Sequence, residues 1–124
     1  MGVKKTILVA DDERMLRKAL HRVLSRAGYD VLLASDGQEA VQLFSEHEER
    51  IDLVILDMNM PRMNGIEACR AIRGLAPMAK VLLASGENRS DVLAHFTQQA
   101  PHGVLQKPFE LREFVADLRQ FIEN

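Results

Sequence analysis

The chain has 124 residues, 47% hydrophobic and 27% charged, with a formal net charge of -2 and a pI near 6.1. This is one ordinary globular domain, spanning 1–124, which excludes a disordered chain and a broad basic surface for nucleic acid. A single cysteine, Cys69, excludes an internal disulfide, and no apolar run approaches the roughly 20 residues that cross a bilayer, so a soluble, cytoplasmic protein is expected.

Lys4 to Ala10 reads as a first strand, and the two aspartates that cut off its apolar run Thr6–Ala10 exclude a signal-peptide core. A helix is expected to start at Asp11-Asp12-Glu13, because acidic residues favour a helix N-terminus. Its stripe is Met15, Leu16, Ala19, Leu20, Val23 and Leu24, and Gly28 stands where a C-cap belongs. Tyr29 to Ala34 is a second strand. Ser35-Asp36-Gly37 turns into a helix with Ala40, Val41 and Phe44 on its buried face, and Asp36 reads as its N-cap. The polar run Ser45–Arg50 reads as a solvated face.

Ile51 to Leu56 is nearly unbroken apolar sequence that stops at Asp57, the pattern of a parallel strand buried on both faces. An irregular loop marked by Pro61 and Gly65 leads to a third helix, Ile66 to Arg73, with Cys69 and Ile72 in the core. Lys80 to Ala84 is a fourth strand. Ser90 is expected to cap a short, weak fourth helix carrying Val92, Leu93 and Phe96. Gly103 to Gln106 is a fifth strand ending at Lys107-Pro108. Leu111, Phe114, Val115, Leu118 and Ile122 define an amphipathic last helix. Met1-Gly2-Val3-Lys4-Lys5-Thr6 fits the loose myristoylation pattern, but the first strand needs this segment. Asn88-Arg89-Ser90 fits a glycosylation sequon that a cytoplasmic chain would not use.

Strands alternating with helices predict an α/β fold: a doubly wound, five-stranded parallel sheet of order 2-1-3-4-5, flanked by five helices and flavodoxin-like. Asp11 and Asp12 then follow strand one, Asp57 ends strand three, Ser85 follows strand four and Lys107 follows strand five. All fall on the carboxyl edge of the sheet, where open α/β sheets bind ligands. Crowded carboxylates repel, by about 4 kcal/mol for two charges 4 Å apart at an effective dielectric near 20. A hard divalent cation such as Mg²⁺ would relieve this and neutralise an incoming phosphoryl group. Lys107 supplies a fixed positive charge and Ser85 a hydroxyl donor. The set reads as a phosphoryl-accepting site built on Asp57.

Val9-Ala10-Asp11-Asp12-Glu13, Leu56-Asp57-Met58-Asn59-Met60-Pro61-Arg62-Met63-Asn64-Gly65, Ala84-Ser85-Gly86 and Lys107-Pro108-Phe109 resemble, in order and spacing, the receiver domain of two-component response regulators. The resemblance spans the chain and evokes both single-domain chemotaxis regulators and hybrid-kinase receivers. It implies that Asp57 accepts a phosphoryl group from a phosphohistidine on a histidine kinase or histidine phosphotransfer domain. It implies Mg²⁺ ligation by Asp12, Asp57 and the Asn59 backbone carbonyl, with Asp11 acting through water. Lys107 would contact the phosphoryl group, and its bond to Pro108 would be cis. The Ser85 hydroxyl would move toward the phosphoryl group, switching the face of helix four, strand five and helix five. The aromatic residue that usually follows it inward is replaced by Val104, so coupling is expected through the loop after Ser85. Asn59 and Glu87 stand where the family tunes hydrolysis of the acyl phosphate.

A phosphatase of the haloacid dehalogenase kind would need a general acid two residues after Asp57, where Asn59 stands. A flavodoxin-like cofactor binder would not place Asp11-Asp12-Glu13 in its phosphate loop, and no GxxxxGK[ST] supports a nucleoside triphosphatase. An inert interaction module is the bland rival, and the complete acidic set with Lys107 argues against it. His21, His47, His95 and His102 show no metal-ligand spacing. A single-domain regulator, a receiver cut from a longer regulator and a hybrid-kinase receiver are all compatible settings. A phospho-dependent downstream target or homodimer could follow in any of them.

Overall fold

The computed structural model describes residues 4–123. The elements are β1 (Thr6–Ala10), α1 (Arg14–Arg26), β2 (Asp30–Ala34), α2 (Gly37–His47), β3 (Ile51–Asp57), α3 (Gly65–Leu75), β4 (Val81–Ser85), α4 (Arg89–Leu93), β5 (Gly103–Gln106) and α5 (Leu111–Glu123). The five strands pair in parallel in the order β2-β1-β3-β4-β5, as the alternating pattern predicts. The first three positions of the myristoylation-like start lie outside the described residues.

Strands with apolar side chains on both faces build two cores. Leu8, Val54, Leu56 and Leu83 point to one face, where Phe44 of α2, Ala68, Cys69 and Ile72 of α3 and Val92 of α4 cover them. Ile7, Val9, Leu53, Ile55 and Leu82 point to the other, under Leu20 and Leu24 of α1 and Phe114, Leu118 and Ile122 of α5. Period-two alternation along buried strands thus divides the helices between the two faces. Between Thr6 and Ile7 the β1–β3 register shifts, passing over Asp52. The Asp52 carboxylate fills the gap by accepting the Thr6 N–H at 2.8 Å.

Strands β1, β2 and β4 start at Thr6, Asp30 and Val81, later than the expected Lys4, Tyr29 and Lys80, and four further differences each have a local reason. Helix α1 starts at Arg14, with Glu13 as an N-cap that makes no side-chain bond. Asp11-Asp12-Glu13 stay outside it because the Asp11 carboxylate accepts the Glu13 N–H at 2.8 Å, an Asx turn that competes with the helix. Helix α3 runs from Gly65 to Leu75, longer than Ile66–Arg73, because Asn64 and Glu67 form a capping box. Helix α4 is capped by Asn88, whose side chain accepts the Asp91 N–H, and not by Ser90. Strand β4 reaches Ser85, so Ser85 ends a strand where a turn was expected. The other end of α1 is as expected: Gly28, at φ 100°, follows the cap, with Tyr29 N–H bonded to Leu24 O and Gly28 N–H to Ser25 O, a Schellman closure.

Candidate functional site

Sheet order brings the ends of β1, β3, β4 and β5 side by side. Asp57, 7% exposed, is the last residue of β3, and the chain beyond it is held by Met58 N–H to Ala84 O and by Gly65 N–H to Met58 O. A Cβ at Gly65 would lie 2.3 Å from the Asp57 carbonyl, so only glycine lets α3 begin this close to the strand end. Asp11, 3% exposed, follows β1, its N–H bonded to Ala34 O of β2. Asp12 beside it is exposed.

Asp11, Asp12 and Asp57 each offer a carboxylate oxygen, and the three atoms lie within 4.8 Å of one another. Among the described residues no other cluster of potential metal ligands forms. The Lys107 ammonium reaches in from the end of β5, 2.8 Å from Asp57 Oδ1 and 3.3 Å from Asp11 Oδ2. Burial pushes the Asp57 carboxyl above the usual carboxylate range. The Lys107 hydrogen bond opposes that rise, and the Asp11 and Asp12 charges add to it. For Lys107, burial would lower the pKa, but the hydrogen bond to Asp57 and the charges of Asp11 and Asp57 carry it above its ordinary value.

Three carboxylates face the Lys107 ammonium. Hard carboxylate oxygens at this spacing suit a divalent cation that takes oxygen ligands, so the residues present fit such an ion. Asn59, two residues past Asp57, is exposed in the loop between the buried side chains of Met58 and Met60. The Lys107–Pro108 peptide is cis.

Ser85 pairs with Gln106 in the sheet and is 2% exposed. Its Oγ accepts the Glu87 N–H at 2.9 Å, so the hydroxyl is engaged with its own loop. Ser85 O accepts the Lys107 N–H at 2.7 Å, which ties the hydroxyl and the ammonium to one strand-end ladder. Gln106 is a residue that the sequence reading missed. Its Nε2 donates to Gly86 O at 3.0 Å and Glu87 O at 2.8 Å, latching the loop that carries Ser85. No periodicity marks it; only its register opposite Ser85 could have. Glu87 is exposed, with His95 Nε2 3.8 Å from its carboxylate.

Asp36 is the α2 N-cap and stays outside the carboxylate cluster, as expected. The Glu39 N–H, then Arg62, holds its carboxyl below the usual range. Val104 is half-buried and packs on the α2–α4 side of the sheet. Of the four histidines, His102 has a structural role: its Nδ1 accepts the Val81 N–H at 3.1 Å.

The fold and site together define a doubly wound α/β protein whose switch-point crevice is acidic, cation-seeking and bridged by a lysine. Residues 7–119 match the response regulator receiver domain. The response regulator MprA of Mycolicibacterium vanbaalenii is 37% identical over 118 residues, 95% of this chain and 50% of its own. The chain thus spans about half the length of the curated relatives it matches. The crystal structure of the receiver domain of the hybrid histidine kinase CckA superposes with a TM-score of 0.78 at 30% identity, over 94% of this chain and 98% of that one. The CheX–CheY–BeF3–Mg²⁺ complex of Borrelia burgdorferi gives 0.88 at 25% identity, over 96% and 90%. This chain belongs to the response regulator receiver domain family, the phosphoacceptor domains of two-component signalling. Among the described residues no helix is long and apolar enough to cross a membrane.

Proposed function

We propose that Asp57 accepts a phosphoryl group from a phosphohistidine on a histidine kinase or histidine phosphotransfer domain, with Mg²⁺ at Asp11, Asp12, Asp57 and the Asn59 carbonyl. The observation that carries this reading is the Lys107 ammonium 2.8 Å from Asp57 Oδ1, at the rim where Asp11 and Asp12 also converge. An Asp57 carboxylate oxygen attacks phosphorus, the phosphorus–nitrogen bond to the donor imidazole breaks, and the imidazole leaves with a proton from solvent. Asp57 must be ionised to attack. The Lys107 hydrogen bond favours the ionised form against the burial that disfavours it. As the acyl phosphate forms, Lys107 turns its charge to the phosphoryl oxygens, a charge-assisted contact. When bound, Mg²⁺ would supply charge neutralisation and orientation of the phosphoryl group.

A cleft of about 420 Å³, lined by Glu13, Leu16, Lys107, Pro108 and Phe109, opens beside Lys107. The domain promotes only its own phosphorylation and dephosphorylation and turns over no separate substrate. Residues 1–124 act as one receiver unit in the cytoplasm. The BeF3–Mg²⁺ complex of the related CheY supports the cation, and the CckA receiver supports a kinase-linked setting.

Phosphorylation draws the Ser85 hydroxyl from the Glu87 N–H to the phosphoryl group. The change passes along the Gln106 latch to α4, β5 and α5, where a downstream target or a second copy would read it. The test is intact mass of the wild type and Asp57→Asn after acetyl phosphate with Mg²⁺. The wild type gains one phosphoryl group and the variant none; equal labelling of both would overturn the assignment.

A further inference from the structure

The Asp36 carboxylate is buried at the end of an edge strand, outside the cluster of Asp11, Asp12 and Asp57, and both its oxygens are used. Oδ1 accepts the Glu39 N–H at 2.8 Å and caps α2. Oδ2 receives Arg62, from Nε at 2.8 Å and from Nη2 at 2.6 Å. Arg62 lies 26 residues further on, in the loop between β3 and α3, and its φ of 65° is a backbone setting that a residue with a Cβ rarely adopts unheld. The next residue is gripped as well. Met63 O accepts the Gly37 N–H at 3.1 Å, and a Cβ on Gly37 would stand 2.1 Å from that oxygen. The start of α2 therefore holds two successive residues of the loop that contains Asn59.

We propose that Asp36 and Arg62 are positioning residues for the cation site: their ion pair holds loop 58–64 in the shape that presents the Asn59 carbonyl. This rests on the reading of Asp57, Asp12 and Asn59 as a Mg²⁺ site. The loop's ends are fixed at the sheet by Met58 N–H to Ala84 O and Gly65 N–H to Met58 O. Between them Met60 is anchored in the core, and the pull to α2 fixes residues 62 and 63 beyond it. A metal ligand supplied by a backbone carbonyl has no side chain to adjust, so its place is set wholly by what holds the loop. Outer residues that orient metal ligands commonly change affinity by about 10- to 100-fold when lost.

Asp36→Asn separates the two roles of Asp36, because the amide oxygen still caps α2 while the NH₂ cannot accept Arg62. Arg62→Ala removes the other partner, and Arg62→Lys keeps the charge. Mg²⁺ dissociation constants come from amide-shift titration of the full chain, loop motion from amide exchange at 59–63, and function from acetyl phosphate labelling across Mg²⁺ concentrations. Asp36→Asn and Arg62→Ala should each weaken Mg²⁺ binding about tenfold, with faster exchange at 59–63. The double variant should be no weaker than either single one, and Arg62→Lys should recover most of the affinity. Labelling should need more Mg²⁺ yet reach the wild-type rate at saturation, which a general loss of folding would not allow. Affinities within twofold of wild type in both single variants, or rates that stay low at saturating Mg²⁺, would overturn the clamp. A wild type that binds no Mg²⁺ would overturn the cation site and the clamp with it.

Discussion

Asp57→Asn should stabilise the cation-free protein near neutral pH, although it removes a partner of Lys107. Asp11 and Asp12 each present an oxygen within 4.8 Å of Asp57, and at an effective dielectric near 20 each pair repels by about 3.5 kcal/mol. Lys107 at 2.8 Å returns about 6 kcal/mol on the same scale. Attraction and repulsion nearly cancel, so the desolvation of a carboxylate that is 7% exposed decides the sign, consistent with its raised pKa. A net gain of about 1 to 2 kcal/mol is expected for the amide, a size typical of a strong single substitution. For 124 residues this is a rise of roughly 4 to 8 °C in Tm.

The pH dependence follows from the same shift. A carboxyl whose folded pKa is raised makes the native state bind more protons than the unfolded chain between the unfolded value, near 3.8, and the folded one. Wild-type stability therefore falls as pH rises through that window, and the advantage of Asp57→Asn vanishes below it. Mg²⁺ works in the other direction, adding about 2.7 kcal/mol to the wild type at a hundredfold excess over its dissociation constant and less to the variant. Urea unfolding of both proteins in chelator and in Mg²⁺, across pH, measures all three effects. A variant less stable than wild type in chelator at neutral pH would refute the crowding on which the cation site depends.

Excess chelator should stop acetyl phosphate from labelling Asp57, and retained label would count against the cation requirement. Ser85→Ala should leave labelling largely intact while blunting phospho-dependent amide shifts across α4, β5 and α5; equal shifts in both proteins would remove Ser85 from the switch. Asn64→Ala should cost about 1 kcal/mol through loss of the capping box, read as a fall of roughly 4 °C in Tm. His102, whose neutral form burial favours, with Arg73 and Lys80 adding to the effect, should contribute its full stability above its unfolded pKa of 6.5. That contribution should fade as pH drops below 6.5, so the gap between wild type and His102→Ala narrows under mild acid. A gap that widens would contradict the Nδ1 acceptor role.

The parts that the sequence revealed are those whose cause is local. Ile51–Leu56 is apolar but for Asp52 and stops at Asp57, so strand, double burial and strand-end carboxylate could all be read together. Lys107 was legible for the same reason, at the end of a short apolar strand before a proline. The errors came where local signals competed. Asp11 could have opened a helix, yet its carboxylate reached Glu13 N–H first and left the acids free for the site. Asn88 and Ser90 both suit an N-cap, and Asn88 took the role by reaching Asp91. The Arg62–Asp36 pair and the Gln106 latch join residues 26 and about 20 apart, and no periodicity encodes them.

These unread contacts share one property that bears on how the site works. Each ties a loop, not an element, and each loop carries a group to which the proposed function assigns a role: Asn59 in one, Ser85 in the other. The strands deliver the carboxylates at their ends through buried apolar packing that is hard to perturb, whereas the loops are held by a few polar contacts with exposed partners such as Arg62 and Gln106. Under the proposed function, a scaffold fixed by two cores and loops fixed by a few polar contacts would let a charge change at Asp57 alter the surface without disturbing the sheet. Val104 fits this division. A half-buried valine on the α2–α4 side of β5 has no polar group with which to report the state of the site, while Gln106, two residues on, contacts the Ser85 loop directly.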